Sequence, residues 1–131
     1  MAIEQAKLAL LEALANSRWQ LETGGVTLDD GSEVLTDTSN QARLSATYGR
    51  LVNGSLTETP WKFANGWRWV TTEGLRPVEQ AVAAHVDACF RAEMEVAELI
   101  NSATIDNIQA LDVSTEFNLR FSQQATTPQP A

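Results

Sequence analysis

The chain has one cysteine, one histidine and nine basic residues among its 131 positions, and each scarcity excludes a class of chemistry. A lone Cys89 cannot close an intramolecular disulfide, so a reducing compartment is the expected setting. A lone His85 must carry any imidazole chemistry, and it stands mid-helix in an apolar row, where a partly buried structural role is the expectation. His85 and Cys89, one turn apart, are too few for a zinc site. With a formal charge of -8, the chain lacks the clustered Lys and Arg that phosphate backbones or anionic membranes require. No apolar run is long enough to span a bilayer, since Glu4, Lys7, Glu12 and Arg18 punctuate the first segment, and no secretory signal is visible there. Glycine-rich phosphate loops, nucleophile elbows and HExxH helices are also missing. No residue pattern demands a reaction, and the expectation is a non-enzymatic protein without cofactor or bound metal.

What is abundant is aromatic mass in one short stretch. Residues 61–71 contain Trp61, Phe63, Trp67 and Trp69 around Asn65-Gly66, the dipeptide suited to a type I′ turn. With Asn65 and Gly66 as the loop, Ala64 opposes Trp67, Phe63 opposes Arg68, Lys62 opposes Trp69 and Trp61 opposes Val70. One face then carries Trp61, Phe63, Val70 and Arg68, and the other carries Trp67, Trp69, Ala64 and Lys62. A hairpin buried on one side alternates apolar with polar. This one is aromatic on both, so a second cover is expected, from the N-terminal helix or from another chain.

The remaining chain reads as α+β: two antiparallel hairpins packed against a long C-terminal helix, with an N-terminal helix and a short middle helix. Residues 3–22 are rich in Ala, Leu, Glu, Lys and Gln and stop at Gly24-Gly25. Leu8, Leu11, Ala15 and Trp19 make a second apolar row on that helix, beyond the one formed by Ala6, Leu10, Leu14, Ser17 and Leu21, which makes it a possible docking element. Residues 25–36 form a second hairpin candidate around Asp29-Asp30-Gly31-Ser32. Asp29, Asp30, Glu33 and Asp37 lack the spacing of a calcium loop and read as an Asx-rich turn. Capping residues ahead of 40–52 open a middle helix with Ala42, Leu44, Tyr48, Leu51 and Val52 as its apolar positions, and Asn53-Gly54 closes it. Thr71 or Thr72 can cap the long helix, and Gly74 and Pro77 place the start of its regular run at about Arg76, from where it continues to Ser102. Its apolar row is Val78, Val82, His85, Cys89, Ala92, Val96 and Leu99, with Val86, Phe90, Met94 and Ala97 beside it. Glu93, Glu95 and Glu98 read as a solvated face. A short last helix is expected near Thr104 to Leu111, then an extended segment over 113–121. The domain division is therefore 1–22 for the N-terminal helix, 23–121 for the α+β domain and 122–131 for a polar tail.

Of the tryptophans left over, Trp67 and Trp69 suit a protein interface together with Lys62 and Arg68, and Leu8, Leu11 and Trp19 suit it on the first helix. Stacking on sugar rings is the competing use, ranked second because nothing beside them is expected to supply the planar amide and acidic groups of a sugar site together.

The chain resembles a family of small bacteriophage domains of unknown function found near tail fibre and tail assembly genes. The words that carry the resemblance run from Arg18-Trp19-Gln20-Leu21-Glu22-Thr23-Gly24-Gly25-Val26 through Thr36-Asp37 and Ser39-Asn40-Gln41-Ala42-Arg43-Leu44 to Trp61-Lys62 and Asn65-Gly66-Trp67. Val82, His85-Val86-Asp87-Ala88-Cys89-Phe90-Arg91-Ala92-Glu93, Ile100, Ala103-Thr104 and Ala110-Leu111-Asp112 follow in the same order. Phe117 stands where that family often has a tryptophan. The resemblance implies a virion tail protein made in the host cytoplasm, with other tail proteins or copies of itself as partners. It implies no enzymatic activity, and it leaves a structural component, an assembly chaperone and a carbohydrate-binding module as the choices.

Overall fold

The computed structural model describes residues 2–126, with the side chains of 125 and 126 outside the description. Among the described residues, four α-helices and two separate two-stranded antiparallel sheets make an α+β fold. The elements are α1 (Ala2–Glu22), β1 (Val26–Thr27), β2 (Glu33–Val34), α2 (Thr38–Val52), β3 (Thr59–Phe63), β4 (Gly66–Val70), α3 (Thr72–Asn101) and α4 (Val113–Thr126), with a 3-10 turn at Ile108–Ala110 before α4. The chain divides into two compact units, one of residues 1–21 and 86–131, the other of residues 22–85.

In the unit of residues 22–85, a buried hydroxyl ties three elements together. Thr36 Oγ1 donates to the Glu22 carbonyl at 2.7 Å and accepts the Gly25 N–H at 2.8 Å. Gln41 Nε2 donates to the Thr36 carbonyl at 2.7 Å and to Glu22 Oε2 at 3.0 Å, so the end of α1, the exit of β2 and the start of α2 share one network. Gly25 has φ +97, a conformation that strains a side-chain-bearing residue, and a Cβ there would also meet the Val34 carbonyl oxygen tightly at 3.3 Å. The first hairpin pairs Val26 with Val34 and Thr27 with Glu33. Its turn is closed by Leu28 N–H to Ser32 O at 2.8 Å and by Ser32 N–H to Asp30 Oδ1 at 2.9 Å, the Asx turn its acidic residues suggest.

α2 begins at Thr38, two residues earlier than the capping pattern implies, because Asp37 is the N-cap residue and its carbonyl accepts the Gln41 N–H at 2.9 Å. Leu44, Thr47 and Leu51 are its buried positions, while Ala42 and Val52 stay exposed. α3 begins at Thr72 rather than at Arg76. Thr71 Oγ1 accepts the Gly74 N–H at 3.2 Å, the bond a helix cap makes to its third residue, and Leu75 is fully buried in the first turn. Pro77 therefore lies inside the helix as its sixth residue, where it has no N–H to give to the Glu73 carbonyl.

The second hairpin forms with a shifted register. Phe63 opposes Gly66, Lys62 opposes Trp67, Trp61 opposes Arg68, Pro60 opposes Trp69 and Thr59 opposes Val70. The loop residues are Ala64 and Asn65, neither with positive φ, and the positive φ of +134 falls on Gly66. A type I′ turn needs positive φ at both central positions, so glycine at the second of them is not enough to set that turn here. The shift changes every partner yet keeps each residue on its expected face, since partners move by two and side chains alternate with period two.

In the unit of residues 1–21 and 86–131, the core is Leu14, Ala92, Val96, Ile100, Val113 and Phe117, with Leu10, Leu11, Leu21, Leu111 and Phe121 partly buried against it. α4 replaces the extended segment expected at 113–121, and the short helix expected at 104–111 reduces to the 3-10 turn. Val113, Phe117 and Phe121 fall four residues apart, a helical row, and Asp112 caps it by accepting the Thr115 N–H at 3.1 Å. α4 continues to Thr126, so residues 122–126 of the expected tail are helical, and the rest of that tail lies outside the described residues. Glu93 and Glu95 do not form a solvated face. Arg18 Nε meets Glu93 Oε1 at 3.0 Å and Arg120 Nε meets Glu95 Oε1 at 3.9 Å, all four side chains being at least half covered, and Gln124 also donates to Glu95.

Two measurements check this account of α4. Phe117→Ala is expected to cost about 3–5 kcal/mol of unfolding free energy in urea, the usual cost of emptying a buried phenylalanine site. The Thr115 backbone N–H, then its hydroxyl, hold the Asp112 carboxyl below its ordinary 3.8. A depressed carboxylate contributes stability that is complete above the unfolded value and lost as pH falls through the folded one. Asp112→Asn keeps a good cap without the titration, so the acid limb of its stability profile below about pH 4 is expected to flatten relative to the parent.

Candidate functional site

The site sits on the second hairpin in the unit of residues 22–85. Alternation along β3 and β4 gives it two unlike faces. Trp61, Phe63 and Val70 are buried at 4%, 2% and 7% exposure, whereas Trp67 and Trp69 on the other face are 64% and 69% exposed. Lys62 and Pro60 share the outer face, both exposed, and Lys62 Nζ lies 5.9 Å from the Trp67 ring centre, within cation–π range. Two neighbouring indoles are thus left in solvent beside a cation, an apolar exposure that the packing of this hairpin does not use.

Arg68 has a different place from the tryptophans it was grouped with. It opposes Trp61 on the inner face, and its guanidinium lies 4.0 Å from the Phe63 ring centre. Its Nη2 donates to Ser32 Oγ at the tip of the first hairpin. The two hairpin tips meet there: Ala64 N–H donates to the Glu33 carbonyl at 2.7 Å, and Asn65 Nδ2 approaches the Gly31 carbonyl at 3.4 Å. The two sheets remain separate, joined through these bonds. Between the tips is a cleft of about 190 Å³ lined by Asp30, Ser32, Asn65, Gly66, Trp67 and Arg68, with Gly31. The Ser32 hydroxyl first, then its backbone N–H, with the Arg68 charge assisting, hold Asp30 below its ordinary 3.8, so it is ionised at neutral pH. A planar amide and a carboxylate therefore do stand beside Trp67, which corrects the expectation from sequence. Ser32 and Arg68 are 36 positions apart, and no spacing rule could have joined them.

The proposed contacts on α1 divide. Leu8 and Trp19 are exposed at 67% and 54%, while Leu11 packs against the core of its own unit. Arg18, next to Trp19, lies 4.6 Å from the Phe90 ring centre. Cys89 is fully buried and His85 half-buried on α3. Among the described residues no three His, Cys, Asp or Glu side chains gather to hold a metal ion. No helix of the described residues is long and apolar enough to cross a membrane.

Residues 5–115 match the family model described as "Domain of unknown function (DUF4376)", and the chain belongs to that family. The match takes in most of α1 and both hairpins. No curated protein and no solved structure matches the chain.

The two faces of the hairpin predict opposite costs. Trp69→Ala is expected to change the unfolding free energy by less than about 0.5 kcal/mol, as an exposed substitution does. Trp61→Ala is expected to cost about 3–5 kcal/mol. Chemical denaturation of the two variants side by side decides it, and equal losses would mean that both faces are structural.

Proposed function

We propose that this chain is a non-enzymatic structural protein of a bacteriophage tail, at the baseplate or a fibre attachment point, binding neighbouring tail proteins through the outer face of its second hairpin. The observation that carries the binding role is the pair Trp67 and Trp69, each more than 60% exposed on one face of two short strands. Indole surface of this kind is the usual anchor of a protein interface, where it removes large apolar area from water at little entropic cost. Lys62 beside it adds a charge in a chain of net charge -8, so it favours a partner with acidic groups around an apolar depression. Leu8 and Trp19 on α1 are a second, smaller apolar exposure that neighbouring subunits can use.

The tail context rests on the ordered words of the sequence resemblance, from Arg18-Trp19 to Leu111-Asp112. An assembly chaperone would use the same tryptophan face, hold a fibre protein for a time, and leave.

Washed, purified particles separate the two. The chain is expected in them by mass spectrometry, and particles made with the Trp67→Ala, Trp69→Ala double variant are expected to lose it while the variant remains folded. Its absence from parent particles would overturn the structural role in favour of the chaperone.

A further inference from the structure

The cleft at the hairpin tips carries chemistry that the tryptophan face does not need. Its groups come in complementary kinds: an ionised Asp30 that only accepts, an Arg68 guanidinium that only donates, and an Asn65 amide that does both. A divalent cation would find one carboxylate and an adjacent guanidinium, which repels it. A phosphate or sulfate would find one guanidinium and an adjacent carboxylate, which repels it as well. A neutral ring bearing several hydroxyls fits, because each hydroxyl both donates and accepts and the set of groups has no net charge. The volume of about 190 Å³ is below the roughly 300–1,000 Å³ of pockets that enclose drug-sized ligands, and it suits one ring. Trp67 lines the same cleft and brings aromatic surface, on which the C–H face of a pyranose packs.

The groups are also held in place before any ligand arrives. Arg68 is braced by the Phe63 ring at 4.0 Å and by Ser32, and Asp30 by the Ser32 N–H at 2.9 Å. Asn65 Nδ2 makes a long contact of 3.4 Å to the Gly31 carbonyl, which a hydroxyl can replace at small cost. Fixed donors and acceptors spare a ligand the entropy of ordering them. From this arrangement we propose that the cleft between the hairpin tips is a saccharide-binding site that takes one neutral pyranose ring, with Asp30 and Asn65 holding its hydroxyls and Trp67 its apolar face. The site shares Trp67 with the proposed protein contact but takes in neither Trp69 nor Lys62, and it stands whether or not the chain is a tail protein.

Amide and indole NMR signals of the full chain, followed through titration with the methyl glycosides of glucose, galactose, mannose, N-acetylglucosamine and N-acetylgalactosamine, test it. At least one glycoside is expected to shift the signals of Gly31, Ser32, Asn65, Gly66 and the Trp67 indole together and saturably. Asp30→Asn is expected to weaken that binding about tenfold, the loss of one hydrogen bond to a charged acceptor, and Asn65→Ala, which leaves the Asp30 turn untouched, by a similar factor. Trp69→Ala is expected to leave it unchanged, which separates this site from the protein interface. The proposal is overturned if none of the five glycosides moves those signals, if sodium phosphate or calcium chloride moves them in place of a glycoside, or if neither polar variant weakens binding.

Discussion

The period-two pleat of β3 and β4 is the constraint on which the rest of the functional reading depends. Successive side chains on a strand point to opposite sides. Trp61 and Phe63 must therefore go one way, with Val70 and Arg68 across from them, and Trp67 and Trp69 must go the other. The hairpin cannot bury both sets against one layer. Burying Trp61, Phe63 and Val70 fixes the core of its unit and, by the same geometry, commits the remaining two indoles to the surface. Their exposure is a consequence of strand geometry and sequence order, and no local unfolding is needed to reach it.

Face assignments were legible in the sequence because they depend only on parity, and the register was not because it depends on one dihedral angle. Asn65-Gly66 suggested a turn with both residues at positive φ, whereas the chain turns over Ala64 and Asn65 and reserves positive φ for Gly66. The middle and long helices were legible from capping residues and apolar rows, but their starts were not. Thr71 caps a turn that contains Gly74 and Pro77, and those two residues argue against helix in any local reading. α4 was missed for a related reason. Val113, Phe117 and Phe121 are β-branched or aromatic, as in a strand, and the decisive signal was their spacing of four behind the Asp112 cap. Of the acids on α3, Glu98 is exposed as expected, while Glu93 and Glu95 are paired because their partners, Arg18 and Arg120, come from other helices of that unit.

The site was half legible for the same reason. Trp67, Trp69 and Lys62 are near neighbours on one hairpin, so a local reading finds them. The cleft joins two hairpin tips, and its polar groups reach each other only after the fold has brought Ser32 to Arg68. An Asx turn at Asp30 and a lone arginine at the end of an aromatic run are each ordinary in isolation. Together they leave a carboxylate ionised beside a guanidinium at the edge of an indole.

Arg68 is what keeps the two faces from merging into one sticky surface. On the same face as the buried aromatics but itself exposed, it sets its guanidinium over the Phe63 ring and donates to the first hairpin. An aliphatic residue at that position would extend the apolar core toward the tip and leave Ser32 and Asp30 without their cation. A lysine would supply the charge but not the planar stack, since its ammonium is a point charge on a flexible stem. The guanidinium does both at once, so the inner face ends in a polar edge where the cleft begins; Trp67 borders that cleft, and Trp69 and Lys62 lie outside it. Separation of this kind lets one small hairpin expose an apolar surface at Trp69 and a polar cleft at its tip without either masking the other.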